Sequence, residues 1–148
     1  MTREFISPAQ HLAYDKIAPW MKEIFGSAAK EHPDIPVFGV SLGSAFAVVQ
    51  VAAWQNDARI VVRAYLTTGT ELTADLLREL LRRNDTLPFG AFGVDESGDV
   101  FIQHSAVGST CDKLELGSIV MSVLQTADDA DDDLIERYGG EMALGYMW

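Results

Sequence analysis

One cysteine, Cys111, stands among 148 residues, which excludes an intrachain disulfide and any zinc cluster built on several thiolates. The histidines, His11, His32 and His104, are scattered and lack the paired spacing that lets one element present two ligands to a metal. No apolar run approaches the roughly 20 residues needed to span a bilayer. The longest, Ala45 to Trp54, is interrupted by Gln50 and reads as a core strand. Cations are scarce: 11 Lys and Arg against 22 Asp and Glu give a formal net charge of -11, a sign that repels phosphate backbones and anionic membranes alike. Nucleic acid and membrane are therefore not expected partners. The stretch Met1 to Gln10 has no apolar h-region of a secretory signal, so the expected location is the cytoplasm.

What is present is an ordinary globular balance, 48% apolar and 22% charged, at a length that buries about two-thirds of the unfolded surface in one core. A single domain over residues 1–148 is expected. Ser7-Pro8 is an N-cap followed by proline at the first helical position, and Leu12, Trp20, Met21, Ile24 and Phe25 supply apolar positions beyond it. Pro19 predicts a kink or restart in that helix. Val37 to Leu42, Ala45 to Trp54 and Arg59 to Leu66 are rich in β-branched and aromatic residues and separated by turn residues, a three-stranded meander. In the third strand Ile60, Val62, Ala64 and Leu66 share one face.

Thr73 caps a second helix whose Leu76, Leu77, Leu80 and Leu81 read as one stripe, ending near Asn84. Two further strands, Gly90 to Asp95 and Val100 to Ala106, flank the turn Glu96-Ser97-Gly98-Asp99. Asp112 with Glu115 forms a capping box before Leu116, Ile119, Val120, Val123, Leu124 and Ala127, a helix that can continue to Tyr138 before Gly139-Gly140. Met142 to Trp148 is an apolar tail expected to pack on something. The order α-β-β-β-α-β-β-α gives an α+β fold, an antiparallel sheet with helices on one face.

Several local patterns have chemical readings. Gly39-Val40-Ser41-Leu42-Gly43 spells the Gly-x-Ser-x-Gly of a serine hydrolase, but a strand follows it where the nucleophile elbow needs a helix, so a glycine-bearing hairpin fits better. Cys111 follows His104 by a few residues, which permits a thiol and base pair, against the commoner role of a small filler beside a helix start. Asp128 to Asp133 holds five carboxylates without the spaced ligands and glycine of an EF-hand; a solvated acidic helix face, or a break between two helices, is the expectation. Arg59 with Arg63, and Arg78, Arg82 and Arg83, are read as ion partners.

Leu80-Leu81-Arg82-Arg83-Asn84-Asp85-Thr86-Leu87-Pro88-Phe89-Gly90-Ala91-Phe92-Gly93-Val94-Asp95, with Gly98-Asp99-Val100-Phe101-Ile102, resembles the YbjN-like family and the related type III secretion chaperones. The likeness extends over roughly residues 9 to 138. It implies a homodimer paired through the second-helix region, and an apolar surface on the first helix and sheet that holds an extended partner segment. Trp20, Ile24 and Phe25 match the first-helix position and Phe38, Val40 and Leu42 the first strand. Each of these six also has a plain reading as core.

The expected function is a non-enzymatic protein-binding module, chaperone-like or regulatory, with no cofactor and a protein or peptide client. A small-molecule-sensing dimer, or a small hydrolase using Ser41 or Cys111, are the alternatives.

Overall fold

The computed structural model describes residues 3–143. Among these the chain forms three α-helices and a seven-stranded antiparallel sheet: α1 (Pro8–Phe25), a 3-10 turn (Gly26–Ala28), β1 (Ala29–Glu31), β2 (Val37–Leu42), β3 (Ala45–Trp54), β4 (Asp57–Thr68), α2 (Ala74–Asn84), β5 (Ala91–Val94), β6 (Val100–Val107), α3 (Lys113–Tyr138) and β7 (Glu141–Met142). The strand order is β1-β2-β3-β4-β6-β5, with β7 pairing to β4 off that path. The predicted meander, second helix, hairpin and long final helix are all in place. The expected order lacked two short strands, β1 and β7.

The meander is set by two-residue turns. Gly43 has φ +55 and leads the β2–β3 turn, closed by the Leu42 and Ala45 pair; only a residue free of Cβ strain takes this position cheaply. Gln55 (φ 49) holds the equivalent place between β3 and β4. Alternation then puts Ala47, Val49, Val51, Ile60, Val62, Ala64, Val100 and Ile102 on one face, all fully buried beneath the helices. The opposite face is half-buried and packs on itself: the Arg63 guanidinium lies 3.8 Å from the Phe101 ring centroid and donates to Gln103 Oε1 at 2.7 Å.

α1 runs unbroken through Pro19, so the helix does not restart there. Asp15 and Pro19 are both exposed, so the Asp15 carbonyl that proline deprives of a donor faces water instead of core. The α2 stripe also divides, with Leu76 and Leu80 buried while Leu77 and Leu81 remain outside. Asn84, the last residue of α2, accepts from the Phe92 N–H (2.7 Å) and donates to its carbonyl (3.3 Å), so one side chain occupies the outer edge of β5. α3 is continuous from Asp112, which caps the Glu115 N–H at 2.7 Å, to Gly139. Of the expected tail, Met142 pairs with Thr67 and the Ala143 N–H donates to the Leu66 carbonyl; Leu144 to Trp148 lie outside the described residues.

Candidate functional site: an apolar groove beside the first helix

The second half of α1 is flanked by two recesses. Toward α3, Ile24 faces Leu114, Gly117 and Met121 across an open apolar groove of about 720 Å³. Leu114 is 80% exposed and Met121 39%. Gly117 forms the floor, where an added Cβ would lie 3.4 Å from Ile24 Cδ1, about van der Waals contact, so the missing side chain leaves the groove open. The Lys113 and Glu23 ion pair at 2.6 Å closes one end. On the other side a smaller recess of about 320 Å³ lies between α1 and β1, bounded by Ala18, Pro19, Met21, Ala29 and Phe38.

The six residues expected to bind a partner divide by environment. Phe38 (3% exposed) and Val40 (1%) are core, Phe38 stacked on Tyr14 at 5.2 Å between ring centroids. Trp20, Ile24, Phe25 and Leu42 pack on the core while keeping part of their surface in solvent. Trp20 also lies 5.9 Å from Lys16 Nζ. The groove thus joins Ile24 to two residues that the sequence reading passed over, Leu114 and Met121. Their signal is present in the spacing, because 114, 117, 118 and 121 trace a second, shallower line beside the buried stripe Leu116, Ile119, Val120 and Val123.

The catalytic alternatives find other surroundings. Ser41 is an exposed residue of β2 one step before a hairpin, without the strand-to-helix elbow, and no histidine hydrogen-bonds to it among the described residues. Cys111 is 2% exposed; burial, with Glu115 adding a smaller push, raises its thiol to about 11, so the thiolate is scarce at neutral pH. His104 packs edge-on against Phe89 and is not a hydrogen-bond partner of Cys111. Among the described residues no cluster of His, Cys, Asp and Glu could hold a metal.

The acidic run is neither a break nor a uniformly wet face, because α3 passes through it and its carboxylates point to different partners. Asp133 pairs with Arg83 at 2.6 Å and Arg137 at 3.5 Å, Asp129 accepts from Gln125 at 3.0 Å, and Asp128 and Asp131 both reach Ser44 Oγ at 2.7 Å. Arg83 and Arg137 also both bond to Glu79, tying α2 to α3, which matches the expected ion-partner role for Arg83.

Residues 13–145 match the family described as T3SS (YopN, CesT) and YbjN peptide-binding chaperone 1. The chain belongs to this family. Its fold is that of solved secretion chaperones. The ExsC-ExsE complex aligns at a TM-score of 0.62 with 13% identity, covering 86% of this chain and 96% of the other. The HopA1-SchA chaperone-effector complex aligns at 0.60 with 9% identity, over 87% and 99%. The Yersinia pestis type III secretion chaperone SycH, solved with a stable fragment of YscM2, aligns at 0.54 with 14% identity, over 78% and 96%. No curated protein matches the chain. Membership of a peptide-binding chaperone family supports a non-enzymatic, protein-binding role. No helix among the described residues is long and apolar enough to cross a membrane.

Proposed function

We propose that this protein is a cytoplasmic peptide-binding chaperone or regulator that holds an extended client segment along α1, seating an apolar client side chain between Ile24, Leu114 and Met121. The observation that carries this reading is the groove itself, since a side chain exposed like Leu114 has no role in the fold and gains by being covered. Trp20, Phe25 and Leu42, each partly in solvent, supply further apolar surface for the client. The protein acts without a catalytic group, and its selectivity comes from which client side chains fill the groove.

The reading includes a homodimer. Leu77 and Leu81 form an outward apolar pair on α2, and Leu72, Phe89 and Val94 are also partly exposed. A two-fold axis through such a patch covers it with its own copy.

The test captures the client, isolates the segment that remains bound after proteolysis, and titrates it as a peptide against the wild type and an Ile24→Asp, Met121→Asp variant of unchanged circular dichroism. A loss of affinity of at least tenfold supports the groove. Equal affinity for both proteins places the client elsewhere.

A further inference from the structure

The β2–β3 turn is fastened to α3 by a contact whose protons do not add up if every carboxylate is ionised. Ser44 Oγ lies 2.7 Å from Asp128 Oδ1 and 2.7 Å from Asp131 Oδ2. A hydroxyl has one hydrogen to donate, so two ionised acceptors at this distance would leave one carboxylate oxygen against a bare lone pair. The remaining contacts determine which carboxylate carries the second proton. Asp128 Oδ1 also accepts the Ser44 N–H at 2.9 Å, a second donor that favours its charged form. Asp131 is 2% exposed, and its other oxygen accepts only the N–H of Asp132, at 2.7 Å.

The charged groups acting on Asp131 are Asp132 and Asp128, both of α3, and both disfavour its ionisation. From the sheet side the turn Ser41 to Ala45 brings no ionisable side chain. None of the ion pairs among the described residues includes Asp128 or Asp131. The fit is tight as well: a Cβ on Gly43 would lie 2.6 Å from Asp128 Oδ1, so the bare turn backbone is pressed onto the carboxylate.

We propose that Asp131 is protonated in the closed form, so that Asp131 O–H, Ser44 O–H and the Asp128 carboxylate form a directed chain, and that loss of the Asp131 proton weakens the hold on the turn: a pH-sensitive catch between β2–β3 and α3. Burial raises the Asp131 carboxyl above its ordinary range, while the Ser44 hydrogen bonds lower Asp128. The catch is therefore shut in mild acid and loosens as pH rises through the folded-state value of Asp131. Above it the turn that ends β2, the strand bearing Leu42, is held by Asp128 alone.

The test is carboxyl carbon and amide NMR of the full chain between pH 4 and 8. The Asp131 carboxyl is expected to titrate above the ordinary carboxylate value of about 4, with the Ser44 amide signal moving at the same midpoint. Asp131→Asn supplies a permanent donor to Ser44 Oγ and keeps an acceptor for the Asp132 N–H, so its Ser44 amide should stay fixed over the range. The melting temperature of the wild type should fall relative to Asp131→Asn as pH rises, because a raised folded-state value gives stability in acid that is lost above it. An Asp131 midpoint at or below about 4, or a Ser44 amide indifferent to it in the wild type, overturns the proposal without recourse to any variant.

Discussion

Leu80 and Leu81 are neighbours in sequence with opposite environments, and replacing each by alanine separates folding from assembly. Leu80 is 4% exposed in the core, so Leu80→Ala removes three carbons from packed surroundings and should cost about 2–5 kcal/mol of fold stability. Leu81 is 70% exposed and contributes little to the single chain. Fully burying a leucine is worth about 2 kcal/mol, so covering the exposed share of Leu81 is worth about 1.4 kcal/mol per subunit. In a two-fold dimer the residue counts twice, and alanine retains the Cβ. Leu81→Ala should therefore weaken the dimer by about 2 kcal/mol, roughly thirtyfold in dissociation constant. Sedimentation or light scattering from nanomolar to high micromolar concentration reads this directly. A wild type that stays monomeric throughout, or a Leu81→Ala dissociation constant equal to wild type, refutes the α2 interface. A large loss of stability in dilute Leu81→Ala would refute the assignment of that side chain to the outside.

Gly43→Ala places a side chain at φ +55 and 2.6 Å from Asp128 Oδ1, and should lose about 1–3 kcal/mol in urea unfolding; an unchanged midpoint would show that the turn is not held against α3. Cys111 should resist a thiol reagent at pH 7.5 in the native protein and react after denaturation, and rapid native labelling would contradict its burial. The Tyr14 hydroxyl, raised first by burial and then by its hydrogen bond to Glu31, has a folded-state value above its unfolded one, so it adds stability that is intact below about pH 10 and lost as pH climbs further. Tyr14→Phe should accordingly show a shallower fall in urea midpoint between pH 9 and 11 than the wild type, and parallel curves would refute the linkage. Gly117→Leu should fill the groove and reduce client affinity with the fold retained; full affinity would move the site elsewhere.

Where an element depends on its own residues, the sequence reading located it. β3 and β4 alternate cleanly because one face meets the helices, and α3 carries its capping box, its stripe and its glycine stop within its own span. Elements that exist only through a partner were missed. Ala29–Glu31 has no alternation of its own and becomes a strand because Val40, Gly39 and Phe38 pair with it. Glu141–Met142 is a strand through Thr68 and Thr67. The site follows the same division. Ile24 was legible as an apolar residue at helical spacing, but whether β2 offers Phe38 and Val40 to a client depends on α1 and α3 lying over that face, a distant fact that alternation does not encode. Leu81 was grouped with Leu80 because a leucine-rich stripe does not mark how wide its buried half is.

The pairing of β7 with β4 has a consequence for how the chain comes into being. β4 receives β3 and β6 along most of its length, but its last residues, Thr67 and Thr68, are covered on one side only by residues that follow all of α3. During synthesis the meander can form early from local contacts and meet α1, while the part of its inner face that α3 covers stays bare until α3 has been made. For that interval the nascent sheet presents an apolar face of its own. Retaining such a segment without letting it aggregate is the same task that the finished molecule is proposed to perform for its client.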